Sequence, residues 1–307
     1  MKNEKFVAAH RAEKLRENGW IRLKAEDKKS LGEIEKRFGI RLSLDITHAV
    51  EENGFVLLPV TLPLHGKDCF TEAGILMALG KDWLITVEPD ISIAPLNRAS
   101  VRVLDKPGEY SSHAKLMMIV EALIDAAHDA VDRISTALDD LAVEAAQSSG
   151  GFELKGKQAG VADIADTAVG LGQAEELIAR TVQGQLMIER TVRWLRRTSK
   201  GAAVNIAEML SDIQGSRRQA QFQHAKVRNI QQSLMTTLDL KQNQIIKVFT
   251  IVTAVFTPPT LIAAFYGQNF AYMPELALPW GEWVVMASTA FFAMAPLIYI
   301  KRKGWLR

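Results

Sequence analysis

Two stretches without formal charge near the C-terminal end constrain this chain more than any other feature. No Asp, Glu, Lys or Arg occurs between Lys247 and Glu275, nor between Glu282 and Lys301. Residues 245–265 number 21 and include one charge, Lys247, near their start. At about 1.5 Å per residue they reach about 31 Å, the thickness of one hydrocarbon core. Residues 283–300 add 18 uncharged positions, near the minimum for a crossing. The connection from Tyr266 to Glu282 carries two acids, Glu275 and Glu282, and no base. Positive charge stands at the outer ends instead, at Lys241, Lys247, Lys301, Arg302 and Lys303. This asymmetry predicts a two-helix membrane hairpin with both chain ends cytosolic and the loop outside. Tyr266, Tyr272, Trp280 and Trp283 occupy interfacial positions.

The first span has a polar edge. Its threonines, Thr250, Thr253, Thr257 and Thr260, fall at about 0°, 300°, 340° and 280° when each residue advances 100°. Asn243 extends the stripe at about 20°. Either helix–helix hydrogen bonding or a water-filled lumen explains hydroxyls confined to one edge. The lumen is the favoured reading, and it requires several copies around an axis because two helices enclose nothing. Pro258 and Pro259 remove backbone donors from the same segment. The freed carbonyls suit a wet face, and a simple kink accounts for the prolines equally well.

The preceding residues read as a cytosolic body. Residues 1–19 are polar and charged, without a secretory pattern. Short strands are predicted at 20–23, 55–62, 74–79 and 83–87, with a helix over 30–38 capped by Ser30 and closed by Gly39. Helices over 112–147 and 161–198 form an antiparallel hairpin across a Ser/Gly link, the second loosened by Gly170, Gly172 and Gly184. A third helix runs from residue 202 to residue 264, about 95 Å if continuous. Along it Ile206, Ile213, Ala220, Val227 and Leu234 recur every seventh residue. The companion seam Leu210, Arg217, His224, Gln231 and Leu238 is apolar only at its ends. A helix packed on one side and wet on the other is expected, either an amphipathic helix on the α/β layer or the wall of a hydrated funnel. The resulting division is 1–110 α/β layer, 111–200 helical hairpin, 201–244 stalk, 245–266 first span, 267–282 outer loop, 283–300 second span and 301–307 basic tail.

Several function classes are disfavoured. The net charge of +2 comes without a basic stripe, so no nucleic-acid partner is expected. One cysteine, Cys69, precludes an internal disulfide and a thiolate-rich metal site. No phosphate loop, nucleophile elbow or paired-carboxylate site occurs, so an enzyme is not expected, nor a covalently bound cofactor. Five of the six histidines, His48, His65, His113, His128 and His224, are scattered through the body of the chain.

Tyr266, Gly267, Gln268, Asn269 and Phe270 in succession, followed by Met273, Pro274, Glu275 and Leu276, resemble the signature of the CorA family of divalent-cation channels. Residues 243–265 are similar to that family's pore helix. The resemblance implies a homopentameric funnel in a bacterial inner membrane, α+β in its cytosolic part, with first spans lining the pore and second spans outside. It implies that Gly267 and Asn269, with Gln268 between them, form the outer mouth. It also implies magnesium or another divalent ion, cobalt and nickel included, as substrate, and intersubunit carboxylates as regulatory metal ligands. Glu208 and Asp212 are the candidates, with Asp125, Asp129 and Asp132 nearby in the hairpin. A ring of Asn269 carbonyls suits a magnesium ion, which sheds its waters reluctantly. Near the inner entrance, Ile246 and Phe249 are candidate apolar gating rings. Glu275 reads equally as a cation-attracting loop acid or a solvated turn residue. Gln268 replaces the family's usual Met, and relatives with altered signatures include zinc transporters. A zinc or proton-coupled transporter is therefore the alternative, and a non-conducting membrane-anchored assembly protein is the third reading.

Overall fold

The structure, a computed structural model, describes residues 11–65, 70–148, 161–198, 203–268, 273 and 278–303. The chain divides into two compact units, Met1–Gln231 and Gln232–Arg307.

The first unit is built on a five-stranded sheet ordered β1-β5-β4-β3-β2. Its strands are β1 (Trp20–Lys24), β2 (Val50–Glu52), β3 (Phe55–His65), β4 (Phe70–Leu79) and β5 (Leu84–Glu88). Strand β1 pairs with β5 in parallel and the other pairs are antiparallel. Period-two alternation assigns each strand's side chains to two cores. Val56, Leu58, Val60 and Leu62 of β3, with Ile75, Met77 and Leu79 of β4, face one core. Leu57, Leu76 and Ala78 face the other, together with Ile85 and Val87. Helix α1 (Lys28–Phe38) covers that second face through Ile34. Trp20 is fully buried, and its indole Nε1 donates to Thr86 Oγ1 at 3.0 Å. At the edge, Arg22 forks onto Glu88, Nε to Oε1 and Nη2 to Oε2, both at 2.9 Å.

The first core is closed by α2 (Ala94–Asp105), α3 (Ser112–Ser148), α4 (Val161–Thr198) and the start of α5 (Ala203–Tyr266). The hairpin and the long third helix stand where their patterns predict them. Strand β2 and helix α2 are additional. The cap of α1 differs from the expectation: Asp27, not Ser30, is the N-cap, and its side chain accepts from the Ser30 amide at 3.1 Å. That bond and the Ser30 hydroxyl hold the Asp27 carboxyl below the usual carboxylate range. Gly39 closes the helix in the left-handed region at φ 67°, as read.

Along α5 the predicted seam is buried throughout: Ile206 and Ala220 at 0%, Ile213 at 2%, Val227 at 0% and Leu234 at 2% exposure. Its companion differs from the expected one. The second buried line is Met209, Ser216, Gln223, Ile230 and Thr237, three residues on from the first, the a/d spacing of a packed heptad. The polar seam is only half-buried and contacts α4: Arg217 makes an ion pair with Glu189 at 2.9 Å, and His224 Nε2 lies 3.5 Å from Glu175 Oε1. Buried glutamines are matched to hydroxyls, Gln185 to Ser216 at 2.8 Å and Gln223 to Ser135 at 3.0 Å.

Gly184 tightens the fold rather than loosening α4. A Cβ there would lie 2.4 Å from the Thr61 carbonyl oxygen of β3, whereas one at Gly172 meets nothing within 4 Å. Gly184→Ala is expected to destabilise by about 1–3 kcal/mol through overpacking. Gly172→Ala should stabilise by about 0.5–1 kcal/mol because Gly costs a helix more than Ala does. Thermal unfolding of the detergent-solubilised protein should rank Gly172→Ala above wild type and Gly184→Ala below it.

Lys115 is 5% exposed, and its Nζ donates to the Asn18 carbonyl at 2.5 Å. Burial holds its pKa below the ordinary lysine value. Between that lowered value and about 10.4, the unfolded chain binds the proton the folded chain has released. Stability therefore rises with pH across that interval. The Lys115→Met variant should lose this alkaline rise in melting temperature; an identical pH profile in both proteins would refute it.

Candidate functional site

The second unit holds two candidate membrane spans, the apolar part of α5 and helix α6 (Gly281–Arg302). Their most apolar 18-residue windows have a mean hydropathy of 1.8 and are 0% and 6% buried within the protomer. Large apolar side chains stand open on both, among them Leu261 at 70%, Phe256 at 64%, Trp283 at 70% and Phe291 at 66% exposure. Such surface is incompatible with water and fits hydrocarbon or neighbouring helices. Helix α5 continues through Pro258 and Pro259 without interruption. The Gly267 amide extends its bonding pattern, donating to the Ala263 carbonyl at 2.9 Å.

Burial on α5 separates two faces. The partly covered residues are Ile251, Ala254, Val255, Pro258, Pro259, Ile262 and Tyr266, centred at about 115° in the 100°-per-residue frame that sets Thr250 at zero. Val255 and Pro259 line an open cleft of about 420 Å³, with Val285, Thr289 and Ala293 of α6 opposite. This face therefore addresses α6. Thr250, Thr253, Thr257 and Thr260 are all exposed, centred at about 320°, roughly 155° away from the α6-facing side. Hydrogen bonding to α6 within the protomer does not explain the stripe.

The hydroxyls have a defined polarity. Thr250 donates to the Ile246 carbonyl at 2.8 Å, Thr253 to Phe249 at 2.8 Å and Thr260 to Phe256 at 2.7 Å. Each proton is thereby committed to the helix's own preceding turn, as intrahelical threonines allow. What these three hydroxyls present outward is lone pairs. At these three positions the stripe accepts hydrogen bonds and offers none, which suits the water shell of a cation.

The structure brings Asn243, Ile246, Thr250, Thr253, Thr257 and Thr260 onto this exposed side, with Phe249 on its flank. Ile246 is 52% and Phe249 69% exposed. Gly267 and Gln268 lie exposed in the turn after the helix. Asn269 and Glu275 lie outside the described residues. Glu208 and Asp212 are exposed on α5 one turn apart, and among the described residues no group of three or more His, Cys, Asp or Glu side chains converges. Asp132 accepts from Gln219 Nε2 at 3.0 Å, while Asp125 and Asp129 are exposed on α3. The inward-donating geometry of the threonines was not legible in the sequence, because spacing places a hydroxyl without aiming its proton.

The single cysteine makes the lane testable by chemistry. In a Cys69→Ser background, cysteines at 250, 253 and 257 should react with a membrane-impermeant thiol reagent, and cysteines at 251, 255 and 262 should not. Uniform reactivity, or the opposite periodicity, would exclude a wet face here.

Comparison with known proteins gives a consistent result. The sequence profile of the family described as CorA-like Mg2+ transporter protein matches residues 17–302. The chain is 40% identical over 99 residues to the magnesium transport protein CorA of Pasteurella multocida, covering 32% of this chain and 31% of that protein. It is 29% identical over 199 residues to that of Escherichia coli K12, covering 64% and 60%. The matched parts thus span about a third to somewhat under two thirds of those relatives' lengths. The fold is similar to the complete structure of the CorA magnesium transporter from Methanocaldococcus jannaschii, with TM-score 0.72, 20% identity, and 93% of this chain and 90% of that one covered.

Proposed function

The chain belongs to the CorA-like Mg2+ transporter family, and from that premise we propose that it forms a channel passing divalent cations, magnesium foremost, down their electrochemical gradient. One observation carries the proposal: a lane of exposed hydroxyls, three with their protons bonded inward, on the side of a membrane span that faces away from its own hairpin partner. A single protomer cannot enclose that lane, so copies around an axis must do so, and a homopentamer is the arrangement proposed. In it the first spans line the pore, the second spans contact lipid, and the positive flanks keep both ends cytosolic in a bacterial inner membrane.

In this reading the hydrated ion docks at the outer mouth formed by Gly267, Gln268 and Asn269, with Glu275 raising the local cation concentration outside. It then passes neutral acceptor rings at Thr260, Thr257, Thr253 and Thr250, and Asn243 beyond. Weak neutral ligands let the ion leave as readily as it arrives. The membrane potential supplies about 2.3 kcal/mol per charge per 100 mV, about twice that for a divalent ion. Apolar rings at Ile246 and Phe249 gate by dewetting. Glu208 and Asp212, open on the protomer surface, hold a regulatory divalent ion only across a subunit boundary, where like charges need a bridging cation. Cobalt and nickel are further substrates on the same chemistry.

Gln268 favours a second reading, a zinc or proton-coupled transporter. Its amide donates as well as accepts, so it changes the chemistry of the mouth. Flux into proteoliposomes at equal magnesium concentration on both sides separates the two: a channel follows the imposed voltage and ignores the proton gradient, whereas flux through a proton-coupled transporter vanishes with the proton gradient and survives collapse of the voltage alone. Asn269→Ala is expected to abolish magnesium flux while the assembled oligomer survives. Wild-type flux in that variant would remove the mouth assignment.

A further inference from the structure

Resting on that reading, we propose that Asp239 is the residue that sets cation preference and conductance at the inner end of the lane. Asp239 is exposed on α5. In the same angular frame it falls at about 340°, inside the arc occupied by the four threonines. It stands four residues before Asn243 and seven before Ile246 on the same side.

No Lys or Arg of residues 232–268 shares its side of the helix. Among residues 232–268 the only charged side chains are Asp239, Lys241 and Lys247. Lys241 falls at about 180° and Lys247 at about 60°, roughly 140° and 100° from the lane's centre. Both cations are thus turned off the path, and the one fixed charge left on it is negative. A carboxylate is also acceptor-only, like the inward-donating threonines beyond it. Thr236, one turn earlier, repeats the device by donating to the Gln232 carbonyl at 3.0 Å.

The placement has a physical consequence for permeation. Between Asp239 and Thr250 lie Ile246 and Phe249, the apolar stretch where a dehydrating ion meets its highest cost. Negative charge just inside that stretch lowers the cost for a cation and raises it for an anion. Repeated around an axis, it concentrates cations locally by a factor of about 10 or more. A solvated charge of this kind is screened within about 10 Å at 0.1 M salt. Its contribution must therefore fade as ionic strength rises, which a purely structural role would not.

The test uses the full chain in proteoliposomes loaded with a fluorescent magnesium indicator. Asp239→Asn should lower initial magnesium flux by about 3–10-fold at low ionic strength and by less than about 2-fold at 0.5 M inert salt. Asp239→Glu should restore flux, Asp239→Lys should abolish it at low salt and regain part of it at 0.5 M, and Asp140→Asn, an exposed carboxylate on α3, should match wild type. Unchanged flux in Asp239→Asn at low salt overturns the inference. So does a salt-independent loss that Asp239→Glu does not repair. Thr253→Leu is measured in parallel: if it too conducts normally, the lane itself is wrong, whereas silence confined to Asp239 removes this residue's role and leaves the lane standing.

Discussion

Hydrocarbon offers no hydrogen bonds, so each polar atom on a spanning helix must be satisfied by the protein or by water. Helix α5 meets that demand with a division of labour inside three of its threonines, Thr250, Thr253 and Thr260. The proton goes back to the previous turn's carbonyl, and the lone pairs look outward on one side only. Replacing carbonyl-bound protons by outward ones would make the lane a mixed donor and acceptor surface, which favours helix pairing over cation passage. The cleft against α6 lies on the far side and is lined almost wholly by carbon. One helix thus has an apolar side facing α6 and an exposed side bearing hydroxyls at the same depth.

The first unit solves a different problem along the same helix. An apolar seam with a seven-residue repeat is compatible with slipping by one repeat, because Ile206, Ile213, Ala220 and Val227 would each find another apolar slot. Polar ties remove that freedom. Gln185 finds a hydroxyl at Ser216, and Glu189, 6% exposed, pairs with Arg217 of α5 at 2.9 Å. A slip by one repeat would break both cross-helix pairings, at a cost of about 1–3 kcal/mol for each buried group left unpaired. Hydrophobic burial thus supplies most of the stability here, and the polar pairs select the register.

Reading the sequence succeeded where the signal was local and periodic. The two spans, the hairpin helices and the buried line from Ile206 to Leu234 follow from charge-free length, absent Gly and Pro, and a seven-residue recurrence. It failed where the answer depended on what lay opposite. The companion seam was sought at Leu210, Arg217 and His224, but the helix presents Met209, Ser216 and Gln223 to its neighbours, since partners for those polar side chains come from α3 and α4. Gly184 looked like a weak point in a helix. It is a contact point, because the backbone of β3 passes there. Asp239 obeys the same angular arithmetic as the threonines, yet it lies one turn before Asn243, where the polar stripe was taken to end.

The amino-acid order alone determined that two segments cross a membrane and that hydroxyls share one edge of the first, because length, charge and helical pitch are properties of a single chain segment. Only the tertiary structure decided which way that edge looks. Its direction depends on where α6 packs, and its chemistry on where each hydroxyl proton goes. Both are relations between atoms that spacing along a chain does not encode.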